Sequence, residues 1–506
     1  MKKIRLTKTD FIIYKECAKN AWLKVHRPEI YRKKPLSTFD LGIIETGNEV
    51  DRIARDLFPG GALISNRKAN DETKKLIEKH EKVIYQPVFM TEKYEAISDI
   101  LVWNEKRKVY DLYEVKSSTN GDGKGAKEKV YIDDIAFQYL VMKENNVPLG
   151  KLSLIRLNGK YVRGAELEIE KLFAIDDFTE EVVDVSEIIA EEMKTAYGFI
   201  SQEKEPAGHC VCVTKGRGNH CTTFWHSNSQ MPKDHQVPEY SVHDISRIGQ
   251  GKGKLAELVD RRIYDIRDVP DDFPLSEKQK NQVDAVKSGR VDIKHEEIEE
   301  FINKLKYPIA FFDYETYACA IPRFQGYHPF DQIPFQFSLH VLEEDGKLTH
   351  FEYICKENKN PDEEIINAIQ KSMPASGSIV TWHKSFEMGR NRELGERNPK
   401  FKKYFTGLND RIETADLEEI FLNQQYIHPK FKGKTSVKYV LPALTNISYQ
   451  DLEIKEGATA SDTWNKIVNK EFDKTETDEK ISHLLEYCKQ DTFAMYRIWK
   501  HLKEEI

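Results

Sequence analysis

The run Pro308-Ile-Ala-Phe-Phe-Asp-Tyr-Glu-Thr316 constrains this chain more than any other stretch. Its apolar residues read as a buried strand, and the strand ends in acids. Side chains alternate across a strand, so Asp313 and Glu315, two apart, share one face. Helical patterns follow it, which is the strand-first, helix-later order of an α/β domain. The chain has 506 residues, and at about 100–200 per domain the length suggests two to four domains. Residues 1–235 mix strand and helix patterns and finish in a loop rich in Gly, His and Cys. Residues 236–304 read as a mainly helical, charged connector, and 305–506 as the α/β domain. No internal repeat of solenoid period is present.

Aromatic residues make up 11% of the chain, too many for a disordered protein, so most of it should fold. With 77 basic and 84 acidic residues the net charge is −7, which argues against a protein that passively coats phosphates. A nuclease is not excluded, because such enzymes gather carboxylates around metals and keep their basic residues local. No run approaches the ~18 apolar residues of a membrane span. The start, Met1-Lys-Lys-Ile-Arg-Leu-Thr-Lys-Thr-Asp10, has no apolar stretch behind its basic residues, unlike a secretory signal. The expectation is a soluble, cytoplasmic protein with no membrane partner.

In the first stretch, residues 42–58 read as an amphipathic helix, 84–88, 94–103 and 109–117 as strands, and 131–144 as a helix. Asp99 falls in the second strand and Glu114-Val-Lys116 in the third, with Glu114 and Lys116 on one face. Two carboxylates can hold a hard divalent cation, and a lysine can orient a water or stabilise the attacking hydroxide. Gln138, one helical turn beyond Asp134, could touch phosphate or that water. An acid-x-base triplet alone is expected about 13 times by chance at this composition, so the whole set carries the signal.

The segments Ile97-Ser-Asp-Ile-Leu101, Tyr113-Glu-Val-Lys-Ser-Ser118 and Asp134-Ile-Ala-Phe-Gln-Tyr139 resemble the PD-(D/E)xK nuclease core in its RecB-like branch. Glu45-Thr-Gly-Asn-Glu-Val50 is similar to the helix before that core; where the branch often has a metal-binding histidine, this chain has Asp51. The resemblance implies a restriction-endonuclease-like α/β fold, Mg²⁺ or Mn²⁺ on Asp99 and Glu114, and catalytic roles for Lys116 and Gln138. A subgroup of the branch carries an iron–sulfur cluster on one cysteine before the core and three after it. Here Cys17 precedes the core and Cys210, Cys212 and Cys221 follow, which implies a 4Fe–4S cluster stapling the domain. The spacing Cys-x-Cys-x8-Cys departs from the subgroup's Cys-x2-Cys-x5-Cys. Zinc held by cysteines with His209, His220 or His226 is the alternative.

Downstream of Asp313 and Glu315, Ser378-Ile-Val-Thr-Trp-His-Lys-Ser-Phe-Glu387 reads as a strand running into a helix start. Tyr487 and Asp491 lie one helical turn apart near the end. This order resembles the tyrosine version of the DEDD exonucleases, of ribonuclease-H-like fold, over roughly residues 305–506. The resemblance implies metals on Asp313, Glu315, Glu387 and Asp491, with Tyr487 holding the attacking water. Glu387 stands where that family usually has Asp, and Asp416 could supplement it. The Gly-rich basic turn Asp244-Ile-Ser-Arg-Ile-Gly-Gln-Gly-Lys-Gly-Lys-Leu255 lacks the register of a nucleotide-binding loop and faintly resembles a helix-hairpin-helix. Together the halves resemble a bacterial family pairing a RecB-like nuclease with a ribonuclease-H-like exonuclease. The implied function is metal-dependent hydrolysis of DNA, in repair or defence. The competing readings are RNA as substrate and a nucleic-acid-binding scaffold with inactive sites.

Overall fold

The computed structural model describes residues 4–32, 36–66, 69–121, 125–250 and 253–506. The chain is mixed α/β and divides into two compact units. Met1–Val213, Gly218–Gln236 and Cys319–Phe330 form the first; Thr214–Arg217, Val237–Ala318 and Asp331–Ile506 form the second. Among the described residues no helix is long and apolar enough to cross a membrane.

The first unit contributes β1 (Leu6–Thr7), β2 (Ala62–Leu63), β3 (Val83–Tyr85), β4 (Val88–Met90), β5 (Tyr94–Ile97), β6 (Ile100–Asn104), β7 (Val109–Thr119), β8 (Leu149–Leu157) and β9 (Phe173–Asp177). Six of them make one sheet in the order β2-β3-β6-β7-β8-β9, and β1-β5-β4 make a second. The stretch 94–103, expected as one strand, is therefore two strands in different sheets. Asp99 sits at the break, not within a strand. The break has a cause: the Ser98 amide donates to Pro87 O, and the Gln86 amide donates to Asp99 O. The β6–β7 hairpin turns through Lys108, whose φ is +56°, as the charged turn suggests.

Two helices begin earlier than their apolar spacing indicates. Thr38–Ala54 starts at a capping box in which Ser37 Oγ accepts from the Asp40 amide while the Asp40 carboxylate accepts from the Ser37 amide. Ala126–Glu144 opens on the polar Lys127-Glu-Lys129, which carries no periodic signal. Its buried side, Ile135, Phe137 and Val141, packs over Leu112, Leu152 and Leu154 of the sheet.

The second unit contributes β10 (Asp292–Ile293), β11 (Ile309–Ala318), β12 (Gln332–Leu342), β13 (Leu348–Ile354), β14 (Ile379–Val380) and β15 (Tyr426–Ile427). Its main sheet has the order β13-β12-β11-β14; β14 is parallel to β11 and the other pairs are antiparallel. The alternation of β11 separates two layers. Ala310, Phe312 and Tyr314 join a core with Ile365, Ile369, Leu394 and Leu408. Phe311 faces the other way, its ring 6.1 Å from Trp499 in the helix Lys474–Glu505. Asp313 and Glu315 share that second face. A register shift between Glu315 and Thr316 marks a β-bulge beside the acids.

Of the segment 236–304, Gln236 ends a stretch of the first unit and everything from Val237 on lies within the second. The Gly-rich turn at 244–255 is preceded by a single 3-10 turn, Val242–Asp244, in place of the helix that a helix-hairpin-helix needs. Gly251 and Lys252 of that turn, like Met1–Lys3 of the basic start, lie outside the described residues.

Trp464 is fully buried, stacks on Phe335 at 4.7 Å, and donates its indole N–H to Cys355 O at 2.8 Å. Trp464→Ala removes this anchor of the helix Gly457–Val468 and should destabilise the second unit by about 3–5 kcal/mol. Chemical denaturation followed by circular dichroism would show it as an earlier transition of that unit.

Candidate functional site

In the first unit β7 brings Glu114 and Lys116 to one face, and Lys116 Nζ lies 2.6 Å from Glu114 Oε1. Lys116 also donates to Asp134 Oδ2 at 2.7 Å, and Gln138 Nε2 donates to Glu114 Oε2 and Asp134 Oδ1 at 2.8 and 3.0 Å. A second ammonium, Lys8, reaches Glu114 Oε1 at 2.9 Å and Asp134 Oδ1 at 3.4 Å. Burial works against the charge on Lys116, but Asp134, Glu114 and Asp99 outweigh it and hold the ammonium well above the ordinary lysine value. Gln138 is fully buried and its Oε1 has no hydrogen-bond partner.

Asp99 lies within the field of this cluster but its carboxylate is committed elsewhere: Oδ2 accepts from the Val115 amide at 2.8 Å and Oδ1 from Gln86 Nε2 at 3.2 Å. Gln86 also donates to Asp51 Oδ1 at 3.3 Å, so Asp51 joins the site through it. Burial raises Asp51, opposed by Arg55 and by Gln86. Tyr139 does not join; it packs against the core.

In the second unit Glu315 and Glu387 are buried, and the half-buried Asp313 and Asp491 stand beside them. Glu387 comes from the first turn of Ser385–Arg397, after β14, and Asp491 from Lys474–Glu505. Burial and then Asp491 push Asp313 well above the ordinary aspartate value; burial, Asp313 and Asp491 do the same to Glu315. Burial and Asp313 raise Glu387, whose Oε2 has no hydrogen-bond partner. Burial lifts Asp491 to about 6 against hydrogen bonds from Tyr449 and Tyr487 and the charge of Lys438. The Tyr449 hydroxyl donates to Asp491 Oδ1 at 2.5 Å, and Lys438 lies 5.6 and 5.5 Å from the rings of Tyr449 and Tyr487. Ligand atoms of Asp313, Glu315 and Cys488 lie within 4.8 Å of one another. Asp416 is not a fifth acid of the cluster in its contacts: it accepts from the amides of His383, Lys384 and Glu418 and so locks the turn after β14.

Sequence reasoning missed Lys8, Gln86, Lys438, Tyr449 and Cys488. Lys438 lies in Thr435-Ser-Val-Lys-Tyr-Val-Leu-Pro442, which resembles a segment of the exonuclease family, so a signal existed. Lys8 and Tyr449 lie 106 and 42 positions from their partners, and nothing local marks them.

The sulfurs of Cys17, Cys210, Cys212 and Cys221 lie within 4.8 Å of one another, with Cys221 to Cys210 at 3.9 Å. Cys17 joins the helices Lys8–Glu16 and Ala18–His26; Cys210 precedes the 3-10 turn Val211–Thr214 and Cys212 lies within it. No histidine enters this group among the described residues. His226 bonds Glu205 at 3.2 Å, His220 stacks on Phe224, and His209 is exposed.

A family described as a domain of unknown function, DUF2779, matches residues 310–436, which include Asp313, Glu315 and Glu387. The chain is 27% identical over 223 residues to the uncharacterized protein MG366 of Mycoplasma genitalium. It is 25% identical over 224 residues to the MG366 homolog of Mycoplasma pneumoniae. Each match covers 40% of this chain and 33% of the relative, so the chain spans a third of the length of the curated relatives it matches.

The acids of the second unit make a signed pH prediction. A carboxyl whose folded pKa is raised binds more protons folded than unfolded, so its contribution falls as pH rises through about 4–6 and beyond. Asp313→Asn should therefore raise the metal-free melting temperature at pH 8 by several degrees and change it little at pH 4. Melting curves in chelator at both pH values check this, and Mn²⁺ should stabilise the unaltered protein more than the variant.

Proposed function

We propose that the protein is a metal-dependent nuclease that hydrolyses phosphodiester bonds in DNA, with its principal site on the second unit. The convergence of Asp313, Glu315, Glu387 and Asp491, two of them buried and two half-buried, with the ammonium of Lys438 beside them, carries this reading. Four clustered, largely desolvated carboxylates repel one another at a cost that bound cations remove. The donor set is all hard oxygen apart from Cys488, which suits Mg²⁺ or Mn²⁺. Such ions, bound there, activate water and neutralise charge on the phosphate.

The chain's own groups then have separate tasks. Asp313, Glu315, Glu387 and Asp491 hold the metals. Tyr449 donates to one oxygen of Asp491 and so orients the carboxylate that would help hold a metal. Tyr487 spends its proton on Asp491, so its hydroxyl oxygen can accept from the attacking water. Lys438, held beside both rings, offers positive charge to the scissile phosphate. In the first unit Glu114 and Asp99 are the candidate ligands for a second divalent ion, with Lys116 assisting the water, and the four cysteines form a separate metal centre.

One observation favours a second reading for the first unit alone. Glu114 and Asp134 are already matched by Lys8 and Lys116, and among the described residues no three acids converge there. In that reading this face holds nucleic acid without cutting it.

Labelled single- and double-stranded DNA and RNA, incubated with Mn²⁺ and the unaltered protein, Asp313→Asn, Glu114→Gln and the double variant, test both. Divalent-dependent DNA cleavage that falls on the order of 10³-fold in Asp313→Asn is expected. Loss of a distinct product pattern in Glu114→Gln would make the first site an active nuclease; an unchanged pattern would leave it as a binding surface. No metal-dependent cleavage of any substrate, or cleavage indifferent to Asp313→Asn, overturns the proposal.

A further inference from the structure

The four-cysteine centre can be assigned more narrowly than the resemblance allows. From the spread of its sulfurs, we infer that Cys17, Cys210, Cys212 and Cys221 hold one tetrahedral metal ion, zinc, in place of a four-iron cluster. This rests on the reading of the four cysteines as a metal centre.

Thiolates around a single tetrahedral zinc lie about 3.8 Å apart, since that edge is 1.63 times a zinc–sulfur bond of about 2.3 Å. The sulfurs here lie within 4.8 Å of one another, and Cys210 and Cys221 are 3.9 Å apart. In a 4Fe–4S cluster each thiolate sits on a different iron. The irons are themselves a metal–metal distance apart, and each thiolate stands a full bond further out. Such a cage spreads its thiolates by well over half the single-ion edge again, and four sulfurs this close cannot enclose it.

Local chemistry agrees with a compact site. All four residues are free cysteines, three of them buried, so the sulfurs are not drawn together by disulfides. The Thr223 hydroxyl lies 3.6 Å from Cys221 Sγ and bonds Asn20 Oδ1 at 2.9 Å, tying the Cys221 turn to the helix after Cys17. Lys19, two residues from Cys17 and buried, donates to Gly208 O, two residues before Cys210. These contacts hold the ligand-bearing segments near one another from outside the sulfurs, as partners of metal ligands do. The short Cys210-x-Cys212 spacing, which departs from the iron–sulfur subgroup, is accommodated by the 3-10 turn Val211–Thr214.

The whole 506-residue chain, purified without oxygen from cells supplied with iron and zinc and freed of carboxylate-held ions by chelator, gives a direct reading. One zinc per chain, no acid-labile sulfide and no brown colour are expected. Iron with stoichiometric sulfide overturns the inference and leaves the metal-centre reading standing; absence of any metal overturns both. Because single cysteine variants can fail to fold, the second measurement uses the unaltered chain. Co²⁺ exchanged into it should give the intense visible bands of tetrahedral thiolate coordination, saturating at one equivalent. Weak bands of mixed oxygen coordination would overturn the assignment.

Discussion

Four carboxylates gathered around one point, two of them buried, repel one another, and much of the second unit is organised by holding them there. Asp313 and Glu315 come from one face of β11, whose opposite face is apolar and packs on Ile365, Leu394 and Leu408. The covering helix Lys474–Glu505 presents Leu484, Tyr487, Cys488, Asp491 and Met495 at helical spacing, so the stripe that buries it also carries an acid. Hydrogen bonds fix its register: Gln336 donates to Leu484 O at 2.9 Å, and Thr492 lies 2.7 Å from Ser338 and 2.8 Å from His340. Those contacts stand behind Asp491 and leave it little freedom to swing away from β11.

The two acid sites solve the same electrostatic problem differently. In the first unit two ammoniums, Lys8 and Lys116, lie among Glu114, Asp134 and Asp99, so charge is nearly matched by the chain itself. In the second, Lys438 faces Asp313, Glu315 and Asp491 and Arg390 faces Glu387, yet all four acids are pushed toward their neutral forms. A charge-matched network is a stable resting arrangement that a cation must disrupt. An unmatched one is at rest only when protons or cations fill it.

What the sequence made legible follows from the range of the forces involved. Strand alternation put Glu114 beside Lys116, and helical spacing put Tyr487 beside Asp491, because both rules act within a few residues. The mixed α/β character also followed from local patterns. The sheet assignment of Asp99 did not: 94–103 has the composition of one strand, and the break at Ser98-Asp99 depends on partners in 86–87 and 115. The start of Thr38–Ala54 was legible in principle from Ser37 and Asp40, but Phe39, Ile43 and Ile44 are exposed, so apolar spacing there does not mark a buried face. Lys8 and Tyr449 depend on tertiary contacts alone.

The four cysteines also impose an order on synthesis. Cys17 is made first, and its last partner, Cys221, follows 204 positions later, after every strand of the first unit's sheets. At about 5–20 residues per second the Cys17 thiol waits roughly 10–40 s for the fourth sulfur, plus the time the ribosome holds it. During that wait the sheet can form while its two flanking helices, Lys8–Glu16 and Ala18–His26, lack their far anchor. A metal held by all four sulfurs would thus act as a late clasp, closing only after residues 17 to 221 have all been made.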